Sequence, residues 1–71
     1  MERVEMVGSS LFILRTRQLS ESCWCCDVWE KHPDHAPHEL EETFLLEDFG
    51  ESELEAVAMA LSDAHLNKNG H

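Results

Sequence analysis

The sequence predicts an α+β domain, a small antiparallel sheet of three to four strands with one C-terminal helix packed on one face. Strand-like runs at Leu11 to Arg17 and Thr43 to Phe49 bracket an aromatic and cysteine segment, Cys23 to Trp29. A capped, alanine-rich segment of helical period closes the chain. At 71 residues there is room for one domain, residues 1–71, and one thin core.

Each element has its own signal. Val4 and Met6 alternate with charged Arg3 and Glu5, a weak signal for an extra N-terminal strand, broken at Gly8-Ser9-Ser10. Leu11-Phe12-Ile13-Leu14-Arg15-Thr16-Arg17 is the first convincing strand, β-branched and aromatic and polar toward its end. Gln18 to Ser22 has the polarity and length of a hairpin loop. In Cys23-Trp24-Cys25-Cys26-Asp27-Val28-Trp29, a period of two puts Trp24, Cys26 and Val28 on one face, the expected core face. Cys23, Cys25, Asp27 and Trp29 take the other.

Lys31 to His38 carries Pro33 and Pro37 and reads as an irregular loop. Thr43 to Phe49 ends at Gly50 and is partly apolar on both faces, as suits a central strand or one flanked by a helix. Ser52 followed by Glu55 is a capping-box pattern, and Glu51 and Glu53 favour the positive end of a helix dipole. Leu54, Val57, Ala58, Leu61 and His65 fall on one amphipathic stripe. Ala56, Ala58, Ala60 and Ala64 raise helix propensity, and Lys68 and Gly70 suit its end. One helix cannot cover both faces of a sheet. The other face must be solvated, polar or used.

Composition narrows the function. So small a domain is marginal without a metal, a disulfide, a second copy of the chain or unusually regular packing. It also struggles to wall off a pocket of the roughly 300–1,000 Å³ that an enzyme needs. Fifteen Asp and Glu against five Lys and Arg give a net charge of −10. From His32 to Asn67 there are ten acids and no Lys or Arg. Phosphate repels such a surface, which disfavours nucleic acid and anionic membranes, whereas a basic protein is drawn to it. MERVEM shows no apolar leader, and Leu11 to Leu14 is far too short to span a bilayer, so a cytoplasmic protein is expected.

In that compartment Cys23, Cys25 and Cys26 stay reduced, and their odd number argues against a closed disulfide framework. With His32, His35 and His38 they place six ligand-type side chains in sixteen residues. Zinc takes four such ligands and would staple a small domain. The spacing is poor for it, because Cys25 and Cys26 point to opposite faces of a strand. The expectation is therefore no metal and no cofactor. Nothing around the cysteines supplies the strained turn, helix start or Gly-rich loop of a thiol enzyme, and no catalytic residue is assigned.

The acids are more informative. Glu39, Glu41, Glu42, Glu47, Asp48, Glu51, Glu53 and Glu55 put eight carboxylates into seventeen residues with no cation among them. The plainer reading is a solubilising face, some of whose members favour the helix start. The sharper one is that one-signed charge marks a partner of the opposite sign, the carboxylates imitating a phosphate track. Trp29 is either an anchor on the uncovered face or an edge-packed ring under the histidine loop.

In size, acidity and sheet-plus-helix plan, the whole chain resembles small phage-encoded anti-defence proteins, anti-CRISPR proteins among them. Its strand order is also similar to that of double-stranded-RNA-binding domains. Their N-terminal helix is missing, however, and the helix here starts at Glu51-Ser52-Glu53 rather than on basic residues, so RNA binding is not implied. The expectation is a non-enzymatic inhibitor or adaptor that binds a basic nucleic-acid-handling protein through the eight acids and Trp29. What the resemblance implies as target is a CRISPR effector or another defence nuclease, blocked at its DNA groove in a host cytoplasm. The alternative is a zinc-stapled module using the Cys23–Cys26 and His32–His38 cluster. A homodimer is compatible with either.

Overall fold

A computed structural model of the chain describes residues 1–8, 10–31 and 42–69, with the backbone alone at 68 and 69. Four strands, β1 (Glu2–Val7), β2 (Ser10–Ser20), β3 (Cys23–Lys31) and β4 (Thr43–Gly50), precede one helix, α1 (Glu53–Asn69). The strands form one antiparallel meander in the order β1-β2-β3-β4, and α1 packs on one face. This is the expected α+β plan, with the weak N-terminal strand present as β1.

Gly8 joins β1 to β2 at φ 64°, a left-handed conformation that costs glycine nothing. The polar segment expected to be a loop from Gln18 is strand as far as Ser20, with the turn at Glu21 and Ser22. Gln18 pairs with Trp24 and Arg17 with Cys25, so backbone pairing extends β2 beyond the apolar core. The proposed loop from Lys31 to His38 begins with Lys31 still in β3, and residues 32–41 lie outside the described residues.

The core lies between the sheet and the helix. Phe12, Leu14, Cys26 and Val28 are fully buried there against Ala56, Val57, Ala60 and Ala64, with Trp24, Leu45, Leu46 and Leu61 packed around them. Burial of Phe12 or Leu14 stabilises the fold by about 1.5–3 kcal/mol each. Trp24, Cys26 and Val28 thus occupy the face that strand alternation assigns them. β4 is an edge strand flanked by α1, the second of the two placements its pattern allows. The pairing shifts where Val28 faces Leu46 and Trp29 faces Phe44, leaving Leu45 as a bulge. That bulge lets consecutive Leu45 and Leu46 both pack on the core, while Phe44 lies across the sheet beside Trp29.

The helix starts as its cap predicts but buries a different stripe. Ser52 Oγ accepts the Glu55 N–H at 3.1 Å, and the Ala56 N–H donates to the Ser52 carbonyl at 3.0 Å. The Glu55 carboxylate accepts the Glu51 N–H at 3.0 Å, one residue earlier than the standard box. Of the expected stripe only Val57 is buried; Leu61 is half-buried, and Leu54, Ala58 and His65 are exposed. Ala56, Ala60 and Ala64 replace them. The approach is close at the helix start, where a Cβ on Gly50 would lie 2.6 Å from the Ala56 nitrogen, and the small side chains of Ala56, Ala60 and Ala64 pack against the sheet core.

Candidate interaction surfaces

The face of the sheet away from α1 is built from cross-strand rows. Val4, Ile13, Trp29 and Phe44, one residue from each strand, pair in register as an apolar row. Beside it runs a charged row, Glu2, Arg15, Asp27 and Glu47. Met6 and Leu11 extend the apolar side, and Phe49 lies beyond the charged row, opposite Cys25. Val4, Met6, Phe44 and Phe49 are each more than half exposed. Trp29 meets Phe44 edge-on, with ring centroids 5.3 Å apart and planes at 74°.

Arginines from β2 tie this face together. Arg15 makes a two-pronged pair with Glu42, 2.8 Å on each prong, and bonds Glu2 at 2.7 Å. Its guanidinium lies 5.9 Å from the Trp29 ring centre, and Lys31 approaches Glu42 at 3.9 Å. The guanidinium holds the Glu42 carboxyl below its ordinary pKa. Arg17 reaches Glu47 at 2.9 Å and Asp27 at 3.9 Å. Burial raises the Asp27 pKa, and its hydrogen bond to Glu47 raises it further while lowering that of Glu47. Both carboxyls lie against the Arg17 guanidinium.

The eight-acid belt therefore does not form one free surface. Glu42 and Glu47, with Trp29, belong to the uncovered face and are already paired. The lack of cations between residues 39 and 55 is offset by Arg15 and Arg17 of β2. Glu53 accepts the Thr16 hydroxyl at 2.6 Å and lies 3.7 Å from the N-terminal amino group. Asp48 faces the helix, where burial and a hydrogen bond to Asp63 raise its pKa to about 6. Glu51 and Glu55 are exposed at the start of α1. Glu39 and Glu41 lie outside the described residues.

Two of the three thiols are buried. Cys25 and Cys26 are buried on opposite sides of β3, and burial raises both, Cys26 to about 11. Cys25 Sγ and carboxylate oxygens of Asp27 and Glu47 lie within 4.8 Å of one another, close enough to hold one ion. Arg17 pairs with both carboxylates of that cluster, and Asp27 Oδ1 is buried without a hydrogen-bond partner among the described residues. Among the described ligand candidates Cys25 takes part and Cys23 and Cys26 do not; His32, His35 and His38 lie outside the described residues.

Among the described residues no helix is long and apolar enough to cross a membrane. Compared with known proteins, the chain matches no family model, no curated protein and no solved structure. The Arg15 and Arg17 pairings were not found from sequence, because they join residues 27 and 30 apart. The available signal was two arginines at alternate positions of β2, which necessarily share a face.

Proposed function

We propose that this chain is a non-enzymatic inhibitor or adaptor that offers an acidic surface to a basic, nucleic-acid-handling protein. One observation carries the reading: the charge is segregated. Arg15, Arg17 and Lys31, three of the five Lys and Arg, are paired on the uncovered sheet face. Asp48, Glu51, Glu53, Glu55 and Asp63 gather on the helix side, where the N-terminal amino group meets Glu53. Arg3, paired with Glu5, is on this side too, but the acids outnumber the cations, and a predominantly acidic patch steers a basic partner and repels phosphate.

A defence nuclease such as a CRISPR effector, whose groove takes a phosphate track, is the finer form of this proposal. The test is affinity purification from the native cell at low and high salt, with captured proteins identified. A basic nucleic-acid-binding partner lost at high salt and displaced by DNA or RNA is expected. Direct binding of nucleic acid by this chain would overturn the reading. A second reading, a metal-stapled module, draws on the convergence of Cys25, Asp27 and Glu47. It requires stoichiometric metal in native mass spectrometry and loss of the fold with chelator.

A further inference from the structure

We propose that two copies of this chain pack face to face through the uncovered side of the sheet, centred on the row Val4, Ile13, Trp29 and Phe44. The first ground is composition. Val4, Met6, Phe44 and Phe49 are 55, 58, 51 and 54% exposed on one face, around a half-buried Trp29. An aromatic centre with paired charges beside it has the make-up of a protein interface.

The second ground selects the occupant. Two molecules of net charge −10 repel, so they can meet only where their charge is locally cancelled. This face is such a place: Glu2 and Glu42 are held by Arg15, with Lys31 near Glu42, and Glu47 and Asp27 both lie against Arg17. These pairs form within each chain, so closure leaves no charge without its partner. A separate basic protein would find little free negative charge here and much more on the helix side.

The third ground is size. The molecule measures 41 × 27 × 15 Å. The four strands, the longest of 11 residues, make a face of roughly 36 × 19 Å, on the order of 600–700 Å² per partner, toward the small end of specific interfaces. Face-to-face sheets lie about 10 Å apart with side chains interdigitated, which suits projecting rings at Phe44 and Phe49. The dimer turns both helix sides outward and so displays two acidic surfaces. A partner with two basic sites would gain from both.

Sedimentation equilibrium over a concentration series tests this. The wild-type chain should assemble to twice its 8.2 kDa mass, with an affinity that holds or tightens as salt screens the acidic helix sides. Val4→Asp and Phe49→Asp, on opposite edge strands, should each weaken the dimer by about tenfold or more while circular dichroism stays native. If one variant does not fold, the other still decides. Ser62→Asp, on the outward side of α1, should leave the dimer intact. A single-chain mass at about 100 μM, near the weak end of specific association, would overturn the proposal. So would a dimer indifferent to whichever sheet-face variants fold, or one broken by Ser62→Asp. Dimerisation and capture of a basic partner move oppositely with salt, so either can fail without the other.

Discussion

Asp48 adds a destabilising, pH-dependent charge to this fold, beside the raised pKa of Asp27 and the lowered ones of Glu42 and Glu47. It faces α1 from β4 and hydrogen-bonds Asp63, a second carboxyl, and its pKa rises from 3.8 to about 6. The folded state therefore holds this proton more tightly than the unfolded chain does. The resulting destabilisation is full above pH about 6, is relieved as pH falls through that value and is gone below the unfolded value. A two-unit shift corresponds to at most about 3 kcal/mol for this half-buried group. Asp48→Asn keeps a donor toward Asp63 and removes the charge. Its urea midpoint should exceed the wild type's near neutral pH, with the gap closing on acidification; equal midpoints at all pH values would show that Asp48 carries no penalty. Sequence revealed an acid at position 48 but not its neighbour, because Asp63 reaches it only after the helix folds back.

At the scale of the elements, what was legible followed local rules. Strand alternation gave the faces of Trp24, Cys26 and Val28, and Ser52 gave the helix start. The buried stripe of α1 was not legible, because leucines at 54 and 61 outweigh alanines in any reading by hydrophobicity. The stripe that packs on the sheet is instead Ala56, Val57, Ala60 and Ala64, and the backbone comes close at its start, at Gly50 against Ala56. Two mutational outcomes follow. Ser52→Ala should lower stability by about 0.5–2 kcal/mol through loss of the Glu55 N–H acceptor. Ala60→Leu should cost about 1–3 kcal/mol by overpacking, whereas Leu54→Ala, at 77% exposed, should change the midpoint little. Denaturant titrations of the three variants rank them; a larger loss for Leu54→Ala than for Ala60→Leu would place the stripe where hydrophobicity alone puts it.

Across the whole molecule, the sequence announced a surplus of acid, and folding sorts it into a cancelled face and a charged side. That sorting decides which residues test the acidic surface. Reversal of Glu42 or Glu47 to Lys would set a cation against Arg15 or Arg17, so loss of binding would be confounded with damage to the sheet face. Glu51 and Glu55 are exposed on the helix side, and their substitution costs only a few tenths of a kcal/mol at the helix dipole plus the bond from the Glu51 N–H to Glu55. Glu51→Lys with Glu55→Lys should therefore leave the circular-dichroism spectrum native while removing the attraction to a basic partner. The wild type's affinity for that partner should fall steeply with salt, and the double variant's weaker binding should fall less, since charge attraction is screened over about 8 Å at physiological ionic strength. Lys at Glu2, at the sheet edge and paired with Arg15, should affect partner capture far less. Full-strength binding by the folded double variant at every salt concentration would reduce the helix-side acids to a solubilising role.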